Sequence, residues 1–157
     1  MDTPLKSRPA PGLIPRFEAR HRAAVLGSLT IPGRAEEVSG ARTFVTRALA
    51  AKGNGQRVDS DAATLLTSEL VTNAILHTAS GTADGSVTIV VVDVPDGVLI
   101  EVINDGSGGT PVVKGDLFAA DGHGLYLVQQ LAAQWGYLRD PAGTTVWFHL
   151  AAERPDG

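Results

Sequence analysis

Short apolar segments of the chain predict β-strands, and longer segments between them follow a different pattern. The predicted strands are residues 21–32, 86–94, 97–104, 137–140 and 143–150. Turn residues separate the last four strands into two pairs, with Pro-Asp-Gly at 95–97 and Pro-Ala-Gly at 141–143. We therefore expect two β-hairpins.

The longer segments repeat apolar residues at steps of three and four, which predicts three helices. These helices are expected at residues 34–53, 60–78 and 124–134. Gly53 would stop the first helix, and Asp59 or Ser60 would cap the second. The order strand, helix, helix, two strands, helix, two strands predicts a two-layer α+β sandwich. In this sandwich, three helices cover one face of a mixed, mostly antiparallel sheet.

Composition and charge narrow the class of protein. The 157 residues fit one domain, and the absence of cysteine excludes disulfides and thiolate zinc sites. The net charge of −4 argues against broad electrostatic contact with nucleic acid or a membrane. The chain shows no targeting segment and no stretch of the roughly 20 apolar residues that a membrane span needs. We expect a soluble cytoplasmic protein, and the Arg-, Ala- and Gly-rich composition is typical of a GC-rich bacterial genome.

The two ends of the chain differ from the middle. Four of the first 17 residues are proline, so residues 1–17 are expected to form a flexible N-terminal tail. The folded domain is expected at 18–152, followed by a C-terminal tail at 153–157.

A row of polar residues runs along the second predicted helix. Glu69, Asn73 and His77 are four residues apart, so their side chains lie one above the other on one side of the helix. The neighbouring row holds Leu66 and Leu70, which places the polar row beside the core. A helix that needed polar groups only for solubility would carry them on its far side. On the helix alone, an ordinary exposed row remains equally compatible with the sequence.

Three further segments combine glycine with groups that can contact a ligand. Asp105 ends an apolar strand and begins a glycine-rich loop at 106–121, and such long loops commonly bind ligands. Gly-His-Gly-Leu at 122–125 leads into the third predicted helix, where glycine and a helix N-terminus favour bound phosphate. Gly-Thr-Thr at 143–145 starts the last strand. Taken singly, each segment is also ordinary turn chemistry.

Together the four segments resemble the nucleotide-binding boxes of the Bergerat-fold, or GHKL, ATPases. They follow one another in the order E-x-x-x-N, D-x-x-G, G-x-G-L and G-T. The matching stretches are SELVTNAILH, NDGSGG, GHGLYLVQQLA and GTTVWF. The chain from about 21 to 150 is similar to the stand-alone ATPase domains of bacterial anti-sigma-factor serine/threonine kinases. The resemblance implies a histidine kinase-like ATPase domain with the Bergerat ATP-binding fold.

The resemblance also implies roles for individual residues in binding ATP and Mg²⁺. Asn73 would bind Mg²⁺ through its amide oxygen, and Glu69 would act as general base on the attacking hydroxyl or water. Asp105 would accept a hydrogen bond from the adenine amino group, and Thr144 or Thr145 would reach adenine through water. The other residues implied in nucleotide binding are His77, Gly108, Gly109, Gly122, His123, Gly124 and Leu125.

The sequence departs from the family pattern at two positions. The second box prefers D-x-G-x-G, and Ser107 stands at its third position. The third box prefers G-x-G-L-G, and Tyr126 replaces its last glycine. A side chain at 126 would either narrow the phosphate site or brace the loop that closes over it.

The resemblance implies an anti-sigma factor that phosphorylates Ser or Thr of an antagonist protein. The expected partners are a sigma factor and the antagonist, without direct contact to nucleic acid or membrane, and a homodimer is left open. The alternative is a non-catalytic, ATP-dependent protein-binding switch. A histidine-kinase catalytic domain fits less well, since His21 and His149 lie in predicted strands and not in a helical hairpin. A structural α/β domain without a ligand is the fourth interpretation.

Overall fold

The computed structural model describes residues 24–51, 57–77, 81–105, 127–128, 130–140 and 143–153 of the chain. These residues form a five-stranded sheet, two α-helices and a short 3₁₀ turn at Ala35–Glu37. The α-helices and strands are β1 (Ala24–Pro32), α1 (Val38–Ala50), α2 (Ser60–His77), β2 (Ser86–Val94), β3 (Gly97–Asn104), β4 (Gln134–Asp140) and β5 (Gly143–Ala151).

The strands lie in the order β1-β2-β3-β5-β4, and each described pair of neighbours is antiparallel. Strands β2 and β3 are rich in Val and Ile because they are buried on both faces. Val87, Ile89 and Val91 contribute to the main core, whereas Val90 and Val92 contribute to a smaller apolar cluster on the opposite face. The side chains alternate between the faces along the strand, as the pleat requires.

Helices α1 and α2 pack against each other and against the face of the sheet that carries the main core. Leu66 and Leu70 of α2 and Val45 of α1 are buried there. Asp59 caps α2, since its Oδ1 accepts a hydrogen bond of 3.0 Å from the backbone N of Ala62. In the described part of the chain, neither helix is long and apolar enough to cross a membrane.

The predicted fold class is confirmed, with differences in detail. Strands β2 and β3 have the predicted bounds, and α1 begins at Val38 because a 3₁₀ turn occupies the preceding residues. The described sheet is antiparallel throughout rather than mixed. The structure defines two α-helices where three were predicted, since the third prediction lies partly outside the described residues.

The predicted end of the third helix is wrong. Residues 127, 128, 130 and 131 are helical, but Gln134 already belongs to β4. The backbone N of Ala133 donates to the carbonyl oxygen of His149 at 2.8 Å, so pairing with β5 competes with the helix from this point. Trp135 and Tyr137 then pack into the main core from β4. The predicted N-terminal tail and all of the predicted C-terminal tail but Glu153 lie outside the described residues.

Two glycines allow a matched test of the backbone. Gly97 follows the β2–β3 turn with φ +154°, and a Cβ there would overlap the carbonyl oxygen of Leu150. Gly40 lies in α1, and a Cβ there would meet nothing within 4 Å. We expect Gly97→Ala to lower the free energy of unfolding by about 1–3 kcal/mol. Gly40→Ala should raise it by about 0.5–1 kcal/mol, because alanine favours the helix. Urea unfolding measures both, and a Gly97→Ala variant as stable as wild type would contradict the pairing of β3 with β5.

Candidate functional site

Helix α2 places Glu69 and Asn73 one turn apart along its edge. Asn73 is 8% exposed and Glu69 is partly buried, so the row lies beside the core rather than on the solvent side of the helix. Their amide and carboxylate oxygens are groups that suit a hard cation such as Mg²⁺. His77 ends the same helix, and the described structure does not extend to its side chain.

The end of β3 holds Asp105 in a defined position. Its Oδ2 accepts a hydrogen bond of 2.9 Å from the backbone N of Ser86, the first residue of β2. This bond crosses from one strand end to the next and orients the carboxylate at the edge of the sheet. Asp105 is exposed, whereas the preceding Asn104 is buried. The carboxylate is therefore accessible while its backbone is anchored.

The pairing of β3 with β5 brings Thr144 to the same end of the sheet. Asn104 lies opposite Thr144 in the register. Gly143 permits this close approach, because a Cβ there would overlap the carbonyl oxygen of Asn104 and lie 3.2 Å from the carbonyl carbon of Asp105. Residues from the second and fourth sequence boxes are thus neighbours, although about 40 residues separate them along the chain.

The hydroxyl group of Thr144 is the feature of this edge that most needs an explanation. Thr144 is 2% exposed, and its Oγ1 has no hydrogen-bond partner among the residues that the structure describes. A buried hydroxyl without a partner costs about 1–3 kcal/mol. A ligand with a polar atom at this position would remove that cost, so the residue fits a binding site.

Side-chain alternation separates the two threonines of the fourth box. Thr144 lies on the face that packs against the helices, together with Val146 of the main core. Thr145 pairs with Ile103 and lies on the opposite face, beside Trp147 of the smaller cluster. The arrangement favours Thr144 over Thr145 as the residue that shares a face with α2.

Sequence reasoning missed Arg139. It lies opposite Thr144 in the β4–β5 register, and its Nε is buried without a hydrogen-bond partner in the described part of the chain. Its guanidinium carbon lies 5.6 Å from the centre of the Tyr137 ring, within the range of a cation–π contact. The alternation of Trp135, Tyr137 and Arg139 could have revealed a cation at the end of an aromatic face. This pattern was not recognised because the predicted strand began at residue 137 and left out Trp135.

The remaining predicted site residues lie outside the described part of the chain. They are Gly108, Gly109, Gly122, His123, Gly124 and Leu125, and the same holds for Ser107 and Tyr126. The described portion of the candidate site therefore consists of two groups, Glu69 with Asn73 on α2 and Asp105 with Thr144 at the sheet edge.

Comparison with protein families gives a match over most of the chain. The family model described as histidine kinase-like ATPase domain matches residues 31–150, about three quarters of the chain. The match runs from β1 to β5 and includes each residue assigned to the candidate site. No curated protein matches the chain.

The unpartnered hydroxyl of Thr144 predicts an unusual response to substitution. We expect Thr144→Val to leave the free energy of unfolding unchanged or to raise it, because valine removes a buried polar atom that has no partner among the described residues. Thr30→Val is the matched control, since the hydroxyl oxygens of Thr30 and Thr88 are 2.8 Å apart. The control should lose about 0.5–1 kcal/mol. Urea unfolding without ligand measures both variants. If Thr144→Val lowers the free energy of unfolding by more than about 1 kcal/mol, the hydroxyl has a hydrogen-bond partner in the protein.

Proposed function

The chain belongs to the histidine kinase-like ATPase domain family, and we propose that it binds MgATP between α2 and the Asp105–Thr144 edge of the sheet. We further propose that it is an anti-sigma factor that phosphorylates Ser or Thr of an antagonist protein. The observation that carries the binding site is the buried Thr144 hydroxyl, which lies on the helix face of the sheet next to β3, the strand that Asp105 follows.

The sheet edge fits the base of the nucleotide. The carboxylate of Asp105 is an acceptor, and the exocyclic amino group of adenine is a donor. Its bond to Ser86 N fixes the direction of the carboxylate before the ligand arrives, so less conformational entropy is lost on binding. Guanine carries a carbonyl oxygen where adenine carries the amino group. Asp105 therefore supports a preference for ATP over GTP.

Helix α2 fits the phosphates. The amide oxygen of Asn73 would hold Mg²⁺, and the ion would supply positive charge against the phosphate oxygens. Glu69 is one turn earlier on the same side of the helix. Its carboxylate would take the proton of the attacking hydroxyl of the antagonist, so that the oxygen bonds to the γ-phosphorus as the bond from that phosphorus to ADP breaks. A protein that only bound ATP would need no base at this position.

The anti-sigma role has different support from the ATP site. The helix sequence SELVTNAILH and the strand sequence GTTVWF resemble short bacterial regulatory ATPases of that class. A sigma factor and an antagonist protein are the partners that this likeness favours. Phosphotransfer to the antagonist is the step for which the proposed general base would be needed.

The first test of this proposal is nucleotide binding. MgATP at about 100 times its dissociation constant should add roughly 2.7 kcal/mol to the free energy of unfolding and raise the melting temperature by about 5–10 °C. Asp105→Ala should weaken ATP binding about 10- to 150-fold, since a hydrogen bond to a charged group is lost. Asp84→Asn, in an exposed turn, is the control and should bind like wild type. Equal affinity of the wild type for ATP and GTP by calorimetry would rule out the role given to Asp105.

A second test separates binding from chemistry. Asn73→Ala removes the proposed metal ligand, so it should weaken MgATP binding and abolish transfer. Glu69→Gln should bind MgATP like wild type but transfer phosphate about 10²–10⁴-fold more slowly. Glu36→Gln, on the exposed face of the 3₁₀ turn, is the matched control for loss of a carboxylate.

The measurement for this second test is single-turnover transfer of labelled phosphate from ATP to the antagonist found by pull-down in the presence of ATP. Transfer by Glu69→Gln at the wild-type rate would eliminate the general base. Wild-type protein that holds its partner in an ATP-dependent manner, but transfers no phosphate, would identify a binding switch instead of a kinase.

A further inference from the structure

Three polar residues form a row across the helix face of the sheet. Asn104 of β3 lies opposite Thr144 of β5, and Thr144 lies opposite Arg139 of β4. Paired residues of antiparallel strands point to the same face, with Cβ atoms about 4.5–5.5 Å apart. The row therefore places the side chain of Arg139 beside that of Thr144.

Two atoms of this row are buried and unsatisfied. Within the described ranges, the Oγ1 of Thr144 and the Nε of Arg139 have no hydrogen-bond partner, and they do not bond to each other. Leaving one such group unpaired is costly, and two at paired positions of adjacent strands indicate a shared cause. A single ligand in contact with both side chains would satisfy both atoms.

The chemistry of Arg139 restricts the ligand. A guanidinium is always charged and only donates hydrogen bonds, so its partner must be an acceptor. The Tyr137 ring at 5.6 Å from its guanidinium carbon holds the group against the sheet and reduces its freedom before binding. Arg139 is thus prepared for a planar group with acceptors at its edge.

We propose that Arg139 binds the base of the nucleotide, donating a hydrogen bond to a ring nitrogen of adenine, while the Thr144 hydroxyl bonds to the same base directly or through water. This inference rests on the proposed function and adds Arg139 to its base site. Adenine presents ring-nitrogen acceptors as well as the amino donor assigned to Asp105. Arg139 as donor and Asp105 as acceptor lie at the same end of the sheet, so they match the ring nitrogen and the amino group of adenine.

The alternative ligand for an arginine is a phosphate group. Arg139 lies on β4 at the closing end of the β4–β5 hairpin, next to Thr144, whereas the phosphates are assigned to Glu69 and Asn73 on α2. A base contact and a phosphate contact predict different results with ligands that lack either part.

Calorimetric titration of ATP, ADP and inorganic triphosphate, each with Mg²⁺, tests the proposal in wild type, Arg139→Ala and Arg139→Lys. Arg139→Ala should lower the affinities for ATP and for ADP by the same factor, about 10-fold or more, and leave the affinity for triphosphate unchanged. The nucleotide affinity of Arg139→Lys should lie between those of wild type and Arg139→Ala, because lysine keeps the charge but lacks the planar guanidinium. Arg47→Ala is the control and should bind like wild type. Arg47 is exposed on α1, which packs near β1, and β1 and β4 are the two outer strands of the sheet.

The outcomes separate this inference from the proposed function. Wild type and Arg139→Ala binding ATP equally would overturn the role of Arg139 alone, and so would a loss larger for ATP than for ADP. Wild type that binds no adenine nucleotide would overturn both proposals. The melting temperature without nucleotide detects a merely structural role, and it should be the same in Arg139→Lys and wild type. A lower melting temperature in Arg139→Lys, with unchanged ADP affinity, would also overturn the inference.

Discussion

The antiparallel pairing of β3 with β5 is the constraint on which the candidate site depends. It joins residues about 40 positions apart in the sequence and places Asn104 opposite Thr144. Gly143 makes this pairing sterically feasible, because any larger residue would collide with the carbonyl of Asn104. Strand β5 in turn positions β4, and with it Arg139. A shift of the β3–β5 register by one residue would turn Thr144 to the opposite face and dismantle the site.

The sheet edge and helix α2 would have different functions in the proposed site. In the proposed site, the edge would offer groups that recognise the adenine base, held by backbone pairing and by the bond from Ser86 N to Asp105. Helix α2 would offer oxygen groups for a metal and a general base for proton transfer, held by the packing of Leu66 and Leu70 in the core. The buried polar atoms at the edge would lower the stability of the free protein, as is common where a site is prepared for a ligand. Ligand binding would recover that free energy.

Local features of the sequence predicted much of this fold, and non-local features did not. The bounds of β2 and β3 follow from apolar runs on both sides of Pro-Asp-Gly, and the side chain of Asp59 marks the start of α2. The end of the third predicted helix was wrong, because an apolar pattern continues past the point where Ala133 pairs with β5. Arg139 was missed because only the strand register places it beside Thr144, and the register is not visible in the sequence. The distinction between Thr144 and Thr145 likewise required the sheet.

The central claim is that one nucleotide spans the sheet edge and α2. A crystal structure of the protein with Mg²⁺ and a non-hydrolysable ATP analogue tests it most directly. The account predicts adenine at the edge formed by Asp105 and Thr144, with the metal bound by the amide oxygen of Asn73. A nucleotide seated elsewhere, or one whose phosphates lie at the sheet edge and whose base lies against α2, would contradict it.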